Sequence, residues 1–177
     1  SASSHNILTA LGIWPVLAAH VEWVKEVQVS DRGHFGQVKI TAKEEDLPAL
    51  GYVIQAKHLQ KSLTMLLDKL PAIDVFYQSQ CHYVCSDENS TTVRFDSVAG
   101  AKEITAALVV GADGYRSAVR ELLNIAVNTV NYEQSAIVSN IDLARSHDNI
   151  AYERFTSTGP IALLPLSEKK ATLIWTV

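Results

Sequence analysis

The chain has 177 residues, 47% hydrophobic and 19% charged, enough for one ordinary domain whose core requires neither a metal nor a disulfide framework. Fifteen Lys and Arg against nineteen Asp and Glu leave a net charge of −4, and with no basic run on any segment nucleic acid is excluded as a partner. The longest apolar stretches, such as 104–110 and 161–166, are far shorter than the roughly 18 residues that span a bilayer. Nothing at the N-terminus reads as a signal peptide, so the sequence reads as soluble and cytoplasmic.

Residues 3–21 carry apolar positions at helical spacing, broken at Gly12 and Pro15, which predicts two short helical pieces. Alternating runs over 22–29 and 35–42, separated by Ser30-Asp31-Arg32-Gly33, predict a β-hairpin. A loop over 43–49 and a short strand over 51–55 follow. Leu59, Leu63, Leu66, Leu67 and Leu70 then mark one face of a helix that stops before Pro71. From 73 to 110 the sequence reads as a meander with strands at 73–77, 81–86, 91–96 and 103–110, in which Cys81 and Cys85, four apart, point to one face. A helical spacing resumes over 117–123, and strands at 135–143, 151–156, 161–166 and 171–177 complete the chain. The class is α+β and mostly antiparallel. Trp14, Trp23 and Trp175 sit within apolar patterns and read as core. Both ends, one inside a helical pattern without a methionine and one inside an apolar strand, read as those of a segment of a longer polypeptide.

The sharpest local feature is residues 108–120, Leu-Val-Val-Gly-Ala-Asp-Gly-Tyr-Arg-Ser-Ala-Val-Arg. It reads as a buried strand, a glycine turn with Asp113 at the strand end, and a helix. Two interpretations stand. Such strand ends are where cofactors dock, with the carboxylate taking ribose or amide donors and the first helical N–H groups taking a pyrophosphate. Alternatively, Asp113 simply caps the helix.

These residues resemble the Asp-Gly-x-x-Ser-x-x-Arg fingerprint of the flavin-dependent aromatic hydroxylases, met by Asp113, Gly114, Ser117 and Arg120. Residues 29–36 (Val-Ser-Asp-Arg-Gly-His-Phe-Gly), 152–156 (Tyr-Glu-Arg-Phe-Thr) and 159–166 (Gly-Pro-Ile-Ala-Leu-Leu-Pro-Leu) are similar to the ubiquinone-biosynthesis branch, of the 2-polyprenyl-6-methoxyphenol hydroxylase type. The resemblance spans essentially the whole chain. It implies FAD as cofactor, NAD(P)H as reductant, and hydroxylation of a polyprenylated methoxyphenol with O2. A ubiquinone-biosynthesis protein complex or an association with the inner-membrane surface is implied as well. Residues 51–70 and 103–124 would lie on the flavin side, the latter as a strand-turn-helix remnant of a flavin-binding domain. Residues 22–42 and 130–177 would lie on the substrate side, and all 177 would form one compact fragment.

The resemblance makes Asp113 and Gly114 contributors to FAD and nicotinamide-nucleotide binding, Ser117 the residue that fixes the turn, and Arg120 the partner of a carboxylate or phosphate. Gln55 would approach the FAD at a strand-to-helix junction. His34 would lie near the ring-binding side, although a surface-turn role is open for it. Leu163 and Leu164 would present hydrocarbon to the substrate or else belong to the core. The six histidines show no ligand spacing and Cys81 and Cys85 are the only cysteines, so no metal site is expected. No Gly-x-Gly-x-x-Gly occurs in the chain, so these residues alone are expected to be catalytically silent and free of flavin. The rival expectation is a non-catalytic α+β module that holds a lipid or a protein partner on an apolar sheet face.

Overall fold

The computed structural model describes residues 1–177. By contacts the chain divides into two compact units, one made of 1–70 with 131–177 and the other of 71–130. Residues 51–70 thus cluster with 22–42 and 131–177, whereas 103–124 fall in the second unit. No helix is long and apolar enough to cross a membrane.

The first unit opens with α1 (Ala2–Ala10) and α2 (Trp14–Leu17), separated by Gly12 at φ +70 and with Pro15 in the first turn of α2, followed by a 3-10 turn (Ala18–His20). Strands β1 (Val21–Val24), β2 (Glu26–Asp31), β3 (Gln37–Thr41) and β4 (Gly51–Ile54) lead into α3 (Ala56–Leu67). The run over 22–29, expected as one strand, is two. At Lys25 the backbone N–H turns to the carbonyl of Asn149, whose side-chain Nδ2 donates to Glu22 Oε1 and to the Trp23 carbonyl. This clasp sends β1 to pair with β4 in a two-stranded sheet, while β2 and β3 form the expected hairpin in another.

That other sheet gathers β8 (Ala136–Asp142), β9 (Ile150–Phe155), β10 (Ile161–Ser167) and β11 (Lys170–Thr176) in the order β3-β2-β9-β10-β11-β8. Every neighbouring pair is antiparallel except β2 with β9. Pro165, fully buried, sits where β9 no longer pairs and the β10–β11 register shifts, so its missing N–H costs no ladder bond. Ile13, Leu17, Val24, Ala42, Ala49, Ala151 and Ala171 are the other buried apolar residues of this unit. Trp23 and Trp175, expected in the core, are more than a third exposed. Trp23 and Trp14 instead pack edge-on to Tyr52 at its own end of the β1–β4 ladder.

The second unit is a meander of β5 (Gln80–Ser86), β6 (Thr91–Ser97) and β7 (Gly100–Ala106), followed by α4 (Ala118–Leu122). Three expectations fail here. Residues 73–77 form no strand: Phe76 covers Phe95 side-on, at 5.2 Å between ring centroids, without pairing its backbone. Strand β7 ends at Ala106, and Leu108 and Val110 are each 76% exposed, because no segment of the chain pairs with 107–110. Apolar content alone does not make a strand when its backbone groups find no ladder. Finally, a bulge at His82 takes Cys81 opposite Phe95 but Tyr83 opposite Arg94, which puts Cys81 and Cys85 on opposite faces.

Candidate functional site

The Asp113 turn is built from inside. Gly114 holds φ +84, a left-handed conformation that favours glycine, and a Cβ at Gly111 would come within 3.1 Å of Val119 Cγ1. Asp113 accepts from Ser117 Oγ at 2.5 Å on one carboxylate oxygen and from the Val119 N–H at 3.1 Å on the other. Ser117, buried, in turn accepts the Arg120 N–H at 3.0 Å through Oγ, and its carbonyl takes the Glu121 N–H. The Val119, Arg120 and Glu121 N–H groups are therefore engaged within the turn and helix themselves. Arg120 is anchored to the same turn. Its Nη2 donates to the Tyr115 carbonyl at 2.8 Å. Asp113 thus braces the start of α4, whose N-cap is Ser117.

Those bonds hold the Asp113 carboxyl below its ordinary value of 3.8, the Ser117 hydroxyl contributing most and the Val119 N–H next. A carboxyl lowered on folding stabilises the folded chain above its unfolded value, and that contribution fades as pH falls through the folded value. Asp113→Asn is accordingly expected to flatten the acid limb of the thermal midpoint between about pH 5 and pH 3. Parallel wild-type and variant curves would show that the carboxylate is not held in the native turn.

In the first unit, β4 and the start of α3 place Gln55 at the helix N-cap in extended conformation, with no capping bond from its side chain. It shares a groove of about 430 Å³ with Val53, Asn140, Leu164, Leu166 and Thr172. Register explains the convergence. Leu164 opposes Thr172 and Thr172 opposes Asn140, so the three form one cross-strand row on one sheet face. Thr172 Oγ1 donates to Asn140 Oδ1 at 3.0 Å, which leaves the Asn140 Nδ2 hydrogens for a ligand.

Leu163 lies on the opposite face, in the row Gln28, Tyr152, Leu163 and Leu173. There it lines two cavities of about 300 and 270 Å³, the first with buried His147 and the second with Gln28 and Arg154. Leu163 and Leu164 therefore do not share a pocket. His34, at the β2–β3 turn, is held by Asp31 at 2.6 Å and is not among the residues lining the Leu163 or Leu164 cavities. Asn140 and Thr172 escaped the sequence reading because an amide and a hydroxyl on alternating strands carry no signal until register brings them beside Gln55.

A sequence profile described as an FAD binding domain matches residues 3–177. The chain belongs to that family. It is 29% identical over 176 residues to the ubiquinone hydroxylase UbiL of Rhodospirillum rubrum, covering 97% of this chain and 39% of that protein. It is 29% identical over 185 residues to the human mitochondrial ubiquinone biosynthesis monooxygenase COQ6, covering 99% of this chain and 39% of that one. The p-nitrophenol 4-monooxygenase PnpA of Pseudomonas putida superposes with a TM-score of 0.81 over 98% of this chain and 45% of PnpA, at 16% identity, and so shares the fold. The chain thus spans about two fifths of the length of the curated relatives it matches. Its fold is the α+β, sheet-rich fold of flavin monooxygenases.

Proposed function

We propose that these residues form the phenol-facing sheet and part of the flavin-contacting surface of an FAD-dependent monooxygenase. The complete enzyme hydroxylates a polyprenylated methoxyphenol in ubiquinone biosynthesis, using NAD(P)H and O2, at the inner-membrane surface on the cytoplasmic side. The observation that carries this reading is the groove in which the Gln55 amide, the Asn140 amide and the apolar Leu164 row meet. A flat heteroaromatic ring has apolar faces and a hydrogen-bonding edge, and this donor set fits one. When bound, FAD supplies the oxygen-activating chemistry.

The chain's own residues bind and orient. Gln55 and Asn140 fix the polar edge of the bound ring, Leu166 excludes water beside it, and Leu164 presents hydrocarbon to the substrate's isoprenoid tail where the phenol meets the ring. Asp113 and Gly114 act by holding the turn in place, with Ser117 and Arg120 locking it. Residues 51–70 and 103–124 serve the flavin, 22–42 and 130–177 the substrate, and His34 stands at the substrate side on the hairpin. The 177 residues alone retain no flavin and turn over no phenol.

Gln55→Leu in the complete enzyme is the test. Losing one amide contact of about 1 kcal/mol or somewhat more should weaken FAD retention roughly fivefold to tenfold, read by flavin absorbance after dialysis. Undiminished retention, or a yellow preparation of the 177 residues alone, would count against the reading.

A further inference from the structure

A further cavity of the first unit, about 460 Å³, is lined by Val16, His20, Lys57, His58, Lys61 and Ser62 among others. The β1–β4 ladder builds it. Val21 opposes Ile54, so His20, just before β1, comes beside the first turn of α3. There its ring stacks on that of His58, with centroids 4.1 Å apart and planes 13° apart. Lys57 and Lys61, four residues apart on α3, share a helix face, and neither is in an ion pair. Ser62, 7% exposed, puts a hydroxyl-bearing side chain in the wall.

No carboxylate lines this cavity. Two ammonium groups gathered without an anion repel one another, a proton on either imidazole adds to that repulsion, and an anion seated among them relieves it. The effect is felt at His58, held below the usual imidazole value first by burial and then by the positive charges of His20, Lys57 and Lys61. α2 contributes no titratable group to the cavity, the 3-10 turn contributes His20, and α3 contributes Lys57, His58 and Lys61. A phosphoryl group carries close to two negative charges and three strong acceptor oxygens, which matches a ring of donors better than a carboxylate with two oxygens does. We propose that the cavity between α2 and α3 binds a phosphoryl group, held by Lys57, Lys61 and the His20–His58 pair. The phosphoryl belongs either to a soluble phosphate compound or to a phosphomonoester lipid headgroup.

The full chain is titrated calorimetrically with inorganic pyrophosphate at about pH 6 and about pH 8, with the imidazole signals of His20 and His58 followed by NMR. Binding at one site is expected to be several-fold tighter at the lower pH, since the charge that protonated rings add outweighs the partial protonation of the pyrophosphate itself. The His58 titration should move up on saturation. K57Q/K61Q, which alters two exposed side chains, should weaken binding at least about tenfold, and H58Q should shrink the pH difference. In a second arm the chain is floated with phosphatidic acid or phosphatidylcholine vesicles. Binding of pyrophosphate identifies a soluble phosphate as sufficient, and selective flotation with phosphatidic acid without pyrophosphate binding identifies the headgroup. Absence of saturable binding in both arms, or binding that K57Q/K61Q leaves intact, overturns the proposal.

Discussion

Replacing Gly159 by alanine is expected to destabilise the chain by about 2–6 kcal/mol, combining about 1–3 for a non-glycine residue in a sparsely populated backbone region with about 1–3 for overpacking. Gly159 holds φ +145, and a Cβ there would sit 2.7 Å from the Thr176 carbonyl oxygen and 3.1 Å from the carbonyl carbon. The atoms in the way are backbone of β11, so no rotamer relieves the clash. Nor can the turn easily retreat. Thr156 and Gly159 exchange backbone hydrogen bonds, Thr156 Oγ1 donates to the Gly159 carbonyl at 2.6 Å, and the Thr176 N–H donates to the Pro160 carbonyl at 2.9 Å. Urea unfolding measures the loss, with Gly33→Ala as comparison. Gly33 holds φ +91 with nothing within 4 Å of an added Cβ, so only the backbone contribution applies. Equal losses for both variants would mean that the β9–β10 turn moves off β11 freely. The functional consequence follows from register, because a displaced β10 end pulls Leu164 out of line with Thr172 and Asn140.

What the sequence discloses is what local periodicity controls. The β2–β3 hairpin, α3, the β5–β6–β7 core of the meander and the β9–β10–β11 succession rest on alternation, leucine spacing and turn residues a few positions apart. The parallel pairing of β2 with β9 rests on a contact across most of the chain, to which neither segment testifies alone. Segments 73–77 and 107–110 show the converse failure, since they carry strand-forming residues but have no ladder to join. At the candidate site, the Asp113-Gly114-Ser117-Arg120 pattern announces a built turn. That the carboxylate spends both oxygens on Ser117 and Val119 follows only from how tightly Gly111 lets the turn close on Val119. His20 and His58 look unrelated in sequence and meet only because β1 and β4 pair.

In the complete enzyme, Leu164→Ser should reduce the preference for a prenylated over a tailless phenol about tenfold in kcat/KM, while Leu163→Ser should leave it unchanged. The magnitude is the lower part of the roughly 1.5–3 kcal/mol that burying a leucine side chain is worth, as Leu164 is half-buried before any ligand arrives. The contrast rests on β10 alternation. Leu164 stands with Gln55, Asn140 and Thr172, and Leu163 faces the other way with Tyr152. A serine at Leu164 would meet the isoprenoid tail with a hydroxyl and lose contact area against it. The tailless phenol keeps only the ring contacts, so its kcat/KM falls less and the ratio reports the tail. Thermal midpoints of both variants separate this outcome from a general loosening of the sheet, which would lower turnover of both phenols together. A ratio that drops for Leu163→Ser but not for Leu164→Ser would move the tail to the opposite face, beside His147 and Arg154, and would detach the substrate from the Gln55 groove.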